Sequence, residues 1–143
     1  MKKWTAVLTA AVLLFALAGC HSSSGPEIES GDWKMTTVQS MAEQGQAVAY
    51  GPQGSGTLSG AVEVELDCQA ENGVLTLTDH THGTTYTGTY RAMDVSQKSV
   101  IYQITLGDVE GTAVVSVTQY ADQTQRDTLI LSVEDYALNF FAE

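Results

Sequence analysis

Basic side chains are scarce: six lysines and arginines face seventeen aspartates and glutamates, a formal net charge of −11. Lys2 and Lys3 sit at the extreme N-terminus, and Lys34, Arg91, Lys98 and Arg126 are strewn singly. Binding nucleic-acid phosphates requires clustered Lys and Arg, so nucleic acid is excluded as a partner. The acidic residues mostly alternate with apolar ones and read as a solvated face that favours solubility. Catalytic patterns are missing as well. There is no G-x-S-x-G elbow and no glycine-rich phosphate loop ahead of a helix. No cysteine nucleophile or carboxylate pair stands out, and the only histidines beyond residue 21 are His80 and His82. We therefore expect neither an enzyme nor a cofactor.

A long hydrophobic run is also lacking, except at the start. Met1-Lys2-Lys3 is followed by an apolar run from Trp4 to Ala18 broken only by Thr5 and Thr9, the n-region and h-region of an export signal. It falls short of the roughly 20 apolar residues a bilayer core demands, and no basic stop-transfer cluster follows. Leu17-Ala18-Gly19-Cys20 resembles the bacterial lipobox. The resemblance implies a signal peptide over 1–19, cut just before Cys20, and a diacylglyceryl group on the Cys20 thiol. Two acyl chains suffice for stable anchoring, so the expected location is outside the cytoplasmic membrane, lipid-anchored to the cell envelope. The alternative is ordinary cleavage after Ala16-x-Ala18, which would leave a free domain.

Residues 20–31, with the small polar stretch "HSSSGPEIESG", read as a lipidated cysteine and flexible tether, and 32–143 as one domain. That domain lacks any helical crossover. Runs rich in Val, Ile, Thr and Tyr recur between Gly, Asn, Asp and Ser clusters, predicting eight strands near 33–38, 61–68, 74–78, 85–91, 99–106, 112–120, 128–133 and 136–141. The later breaks, such as "ENG" at 71–73 and "GDVEG" at 107–111, are short enough that neighbours pair antiparallel as a meander. Alternation sets the inward face: Val100, Tyr102, Ile104 and Leu106; Ala113, Val115 and Val117; Leu129, Leu131 and Val133; Leu138 and Phe140. Cys68 shares parity with Val62, Val64 and Leu66 and reads as a small buried hydrophobe. An all-β, eight-stranded antiparallel up-and-down barrel, closed or partly open, is the expected fold, with a two-sheet sandwich as the alternative. Residues 39–60 interrupt the pattern with a long glycine-rich segment that suggests a lid, with a helical turn around Met41-Ala42-Glu43 or a short strand around Ala47-Val48-Ala49.

"SGDWKMTTV" with Gly31-x-Trp33, "TYTGTY" at 85–90 and the closing "TLILSVEDYALNFF" together resemble the lipocalin-like bacterial lipoproteins, across roughly residues 31–142. The resemblance implies a barrel whose Trp33 packs across the closed end. The arginine that such barrels often place near the last strand has no counterpart here, since Arg126 precedes the seventh predicted strand.

Tyrosines carry the functional expectation. Tyr86 and Tyr90 flank Gly88 on one strand face and Tyr102 follows on the next strand, the materials of a wall around an apolar ligand. A barrel of this size is either hollow or filled by its own side chains. Two functions follow: binding a small apolar ligand, or, with a solid barrel, docking another envelope protein as an inhibitor, sensor or assembly factor. "DHTHG" at 79–83 brings His80 and His82 to the same side of an extended segment, with His21 as a third candidate ligand, but two imidazoles in a polar turn are a weak metal site.

Overall fold

The computed structural model describes residues 26–53 and 60–143. The segment expected as an export signal, Cys20, His21 and the centre of the glycine-rich segment lie outside the described residues. The described residues form a 3-10 turn at Ile28–Ser30 and ten strands: β1 (Trp33–Ser40), β2 (Gln46–Tyr50), β3 (Val62–Glu63), β4 (Leu66–Glu71), β5 (Val74–Asp79), β6 (Thr84–Val95), β7 (Ser99–Leu106), β8 (Val109–Gln119), β9 (Gln125–Val133) and β10 (Tyr136–Ala142).

Strands β4 to β10 run as an antiparallel meander, and β1 pairs with both β10 and β4, closing an eight-stranded barrel. Closure removes the exposed strand edges that would otherwise pair with other chains. The β4–β5 turn shows how the sequence dictates this locally. Asn72 and Gly73 both take positive φ, 51° and 81°, which the Asn-Gly pair tolerates and a two-residue hairpin needs.

The alternating apolar residues meet inside the barrel. Val100, Val115, Leu129, Phe140 and Met35 are successive cross-strand partners from β7 around to β1, and all are buried. Each such side chain stabilises the fold by about 1.5–3 kcal/mol, so a one-residue slip that turned the belt outward is excluded. Cys68, opposite Trp33, is fully buried. Val117 departs from its expected place; it lies near the end of β8 and is 41% exposed.

Two features of the observed barrel differ from the sequence-based reading. Ile28 belongs to the core rather than to a tether: it is fully buried, its N–H donates to Tyr102 Oη at 3.2 Å, and its carbonyl accepts from Trp33 Nε1 at 2.7 Å. The 3-10 turn thereby stoppers one end of the barrel over Trp33, which is itself fully buried. The second difference is at the opposite end. The strand expected over 61–68 is broken at Val64 and Glu65, because β2 enters between β1 and β3.

Only Trp33 and Lys34 of β1 pair directly with β4; from Thr37 to Ser40 the neighbour of β1 is β2. β2 in turn runs parallel to β3, and Val64 N–H donates to Tyr50 O at 2.9 Å. The rim here therefore carries one strand more than the stoppered end, and a barrel's diameter grows with its strand number. Gly51 marks the split: its N–H donates to Thr36 O at 2.8 Å, and a side chain there would collide with the Met35 carbonyl oxygen.

Candidate functional site

The additional strand leaves room. Between β1, β2 and the β4–β7 arc lies a cavity of about 500 Å³. Its wall is mainly hydrocarbon: Met35 and Val38 of β1, Ala49 of β2, Val64 and Leu66, Leu77 of β5, Leu106 of β7 and Leu138 of β10. Thr85, Tyr86 and Thr87 of β6, Gly107 and Asp79 complete it. The mouth lies by the β5–β6 and β7–β8 turns, where Tyr86 is 52% exposed. The stoppered end, by contrast, is solid with Trp33, Ile28, Leu75, Ile104, Val115, Leu129 and Leu131. One barrel is thus packed at one end and hollow at the other.

The three tyrosines expected to line a ligand cavity separate accordingly. Tyr86 lines it, opposite Leu77 on the inner face. Tyr90 and Tyr102 do not; they lie toward the stoppered end, ring edge to ring face at 5.8 Å and 79°. The Tyr102 hydroxyl holds Ile28, and the Tyr90 hydroxyl donates to Glu29 Oε1. Burial, reinforced at Tyr90 by the neighbouring Glu29 carboxylate, pushes that phenol up to about 12. Burial raises Tyr102 as well. Both rings are fasteners of the stopper. Gly88 lacks a side chain for a further reason: a Cβ there would strike the Thr105 carbonyl oxygen on β7.

The segment expected as a lid contributes wall instead. Residues 46–50 are β2, and Ala49 faces the cavity. Met41–Gly45 form the turn that joins β1 to β2.

His80 and His82 diverge. His80 Nε2 lies 2.9 Å from Asp67 Oδ2, which also accepts from Lys34 Nζ at 2.6 Å. That bond to Asp67 raises the Lys34 pKa. His82 Nδ1 lies 2.7 Å from Asp79 Oδ2, while His82 N–H donates to Asp79 Oδ1 at 2.9 Å. The two imidazoles therefore serve two different carboxylates, and no group of three metal-ligating side chains occurs among the described residues. The backbone bond from His82, seconded by its ring, holds the Asp79 carboxyl below its ordinary range despite burial.

Asp79 is the residue that reading the sequence as a polar turn overlooked. It shares strand parity with Leu75 and Leu77 in "VLTLTD", so a carboxylate at an inward position was visible in the pattern. Cys68 has no such chemistry. Burial pushes its thiol up to about 12, so the nucleophilic thiolate is suppressed. Arg126, on β9, has its guanidinium 5.1 Å from the centre of the Phe141 ring, and Phe141 pairs with Lys34, the residue after Trp33.

Fold and cavity together define an all-β protein built on a closed eight-stranded antiparallel barrel, hollow at one end. Comparison with protein-family models, with curated proteins and with solved structures finds no match for the chain.

Proposed function

We propose that the chain is a lipocalin-like lipoprotein, anchored through lipid on Cys20 outside the cytoplasmic membrane, whose barrel binds a small apolar ligand. The cavity carries this reading: about 500 Å³ with a chiefly hydrocarbon wall falls within the roughly 300–1,000 Å³ of small-molecule sites. The barrel's own side chains fill the far end and leave this one empty of packing, although Leu and Val neighbours surround it. Apolar surface moved from water into such a cavity gains about 25 cal/mol per Å².

The geometry suits an anchored protein. Cys20 precedes Pro26 by six residues, a reach of at most about 20 Å. The chain enters the barrel at the stoppered end through Ile28, so that end faces the membrane and the mouth faces away from it.

Titration of the purified chain with Nile red, a neutral apolar dye, tests the binding. Saturable one-to-one enhancement of fluorescence is expected, and Leu77→Trp, which fills the cavity, abolishes it while the circular dichroism spectrum stays β. Absence of saturable binding refutes the reading and leaves docking of an envelope protein by a solid-acting barrel. The anchor has its own test. Cys20→Ala moves the protein from the membrane fraction to the soluble one, and mass spectrometry of the unaltered protein finds a diacylglyceryl adduct on Cys20.

A further inference from the structure

Among the described residues, Asp79 is the only charged one in the cavity wall. Its position is set by register rather than by chance rotation at a surface turn. It pairs with Leu66 on β4, directly opposite residues in an antiparallel pair share a face, and Leu66 lines the cavity too. The residue is only 9% exposed. A carboxylate beside Leu66 and Leu77 carries a desolvation cost that an apolar or amide side chain would avoid.

The bonds to His82 hold the charge in place without using up its acceptors: the His82 N–H and ring bond to one oxygen each. An ionised carboxylate offers about four acceptor positions, so Asp79 keeps capacity for another donor. The nearest imidazole, His82, is 65% exposed and lies outside the wall. Among the described residues, no lysine or arginine lines the cavity. The hollow therefore presents a negative point at the mouth of an apolar chamber, with no positive group inside to match it.

Tyr86 adds a second, independent element. It lies on the adjacent strand, two positions along from Asp79's own partner Thr84, and faces the same interior. A diagonal neighbour across strands stands about 7–8 Å away, which brings the carboxylate and the aromatic residue within reach of one cation bound at the mouth. A carboxylate with an aromatic face is suited to an ammonium group.

We propose that the cavity selects apolar molecules bearing a protonated amine, with Asp79 as the anchoring anion and the hydrocarbon body seated among Leu66, Leu77, Leu106 and Leu138. This inference rests on the ligand-binding reading above. It excludes fatty acids as preferred ligands, because a carboxylate head at the mouth would face Asp79 as a like charge.

A matched set of n-octylamine, n-octanol and n-octanoate, used to displace Nile red from the full mature chain near neutral pH, separates the two levels. The amine is protonated under those conditions as a lysine side chain is. Displacement by the neutral alcohol reports the apolar cavity itself. The amine is expected to bind about tenfold or more tightly than the alcohol, the effect of one charge-assisted hydrogen bond, and the alkanoate most weakly. Asp79→Asn, whose amide oxygen still accepts from His82 N–H, is expected to bring the amine-to-alcohol affinity ratio down to about one. Equal binding of amine and alcohol to the unaltered protein overturns the amine inference while leaving the cavity reading intact. So does an amine preference that survives in Asp79→Asn. Failure of all three to displace the dye overturns both. The amine-to-alcohol ratio of the unaltered protein needs no variant, so the test holds even if Asp79→Asn folds poorly.

Discussion

Removing the Trp33 side chain should be among the costliest single changes the barrel can suffer. Trp33 is fully buried, and its Nε1 donates at 2.7 Å to the carbonyl of Ile28, itself fully buried. Truncating a buried tryptophan to alanine costs about 3–5 kcal/mol from lost transfer energy and the cavity left behind. The upper half of that range is expected, because the Ile28 carbonyl also loses its donor and an unsatisfied buried acceptor costs about 1–3 kcal/mol. Trp33→Phe keeps most of the apolar volume and loses the donor, so its cost should be about 1–3 kcal/mol. A domain of this size is stable by about 5–15 kcal/mol, and each kcal/mol lowers its melting temperature by roughly 3–5 °C. Trp33→Ala should therefore melt about 10–20 °C lower, with Trp33→Phe in between. Trp33 is the only tryptophan beyond Trp4, so urea unfolding must be followed by far-ultraviolet circular dichroism rather than by fluorescence. An unchanged m-value confirms that the folded state alone was altered. A cost below about 1 kcal/mol for Trp33→Ala would refute the stopper argument, since no fully buried indole is released so cheaply.

Asp79 should mark the acid side of stability. Its folded pKa lies below its ordinary value of 3.8, so its contribution is fully present above about pH 4 and is lost as pH falls through the folded value. Melting curves from neutral to strongly acid pH should show Asp79→Asn and the unaltered protein converging at the acid end; a gap that widens toward low pH would contradict this sign. Cys68, with its thiol pushed up to about 12 by burial, should resist maleimide labelling in the native protein and react only in denaturant. Rapid native labelling would show that the wall around it opens. Gly88→Ala should destabilise by about 1–3 kcal/mol, because the added carbon meets the Thr105 carbonyl of β7 and the strands must part. A neutral effect on the urea midpoint would mean that β6 and β7 can separate without cost.

The sequence by itself determined the β class, the meander and the inward set. Val100 and Ile104, Val115, Leu129 and Leu131, and Phe140 sit at like parity along runs rich in β-branched and apolar residues, and strand pleating sends residues of one parity to one face. The resemblance to lipocalin-like proteins implied a closed end at Trp33, and the sequence supplied the lipobox-like "LAGC" whose cysteine lies outside the described residues. Which end of the barrel each residue occupies was not legible, because strand parity records a side of the sheet and not a height along the axis. Tyr86, Tyr90 and Tyr102 share the inner face, yet only pairing against Leu77, Ile104 and Ala92 sends the first to the hollow and the others toward the stopper. The entry of β2 beside β1 was equally hidden, since Ala47-Val48-Ala49 is a weak strand signal whose partner, Val62-Glu63, runs parallel to it and is far along the chain. Ile28 looked like linker because a single apolar residue among serines, glycines and glutamates has no period; only the barrel's empty end gives it a place to bury. The sequence thus encodes which side chains avoid water, a local property of alternation. The hollow, its stopper and the inward carboxylate of Asp79 arise from closure, where strand number and register around the ring fix the space that remains.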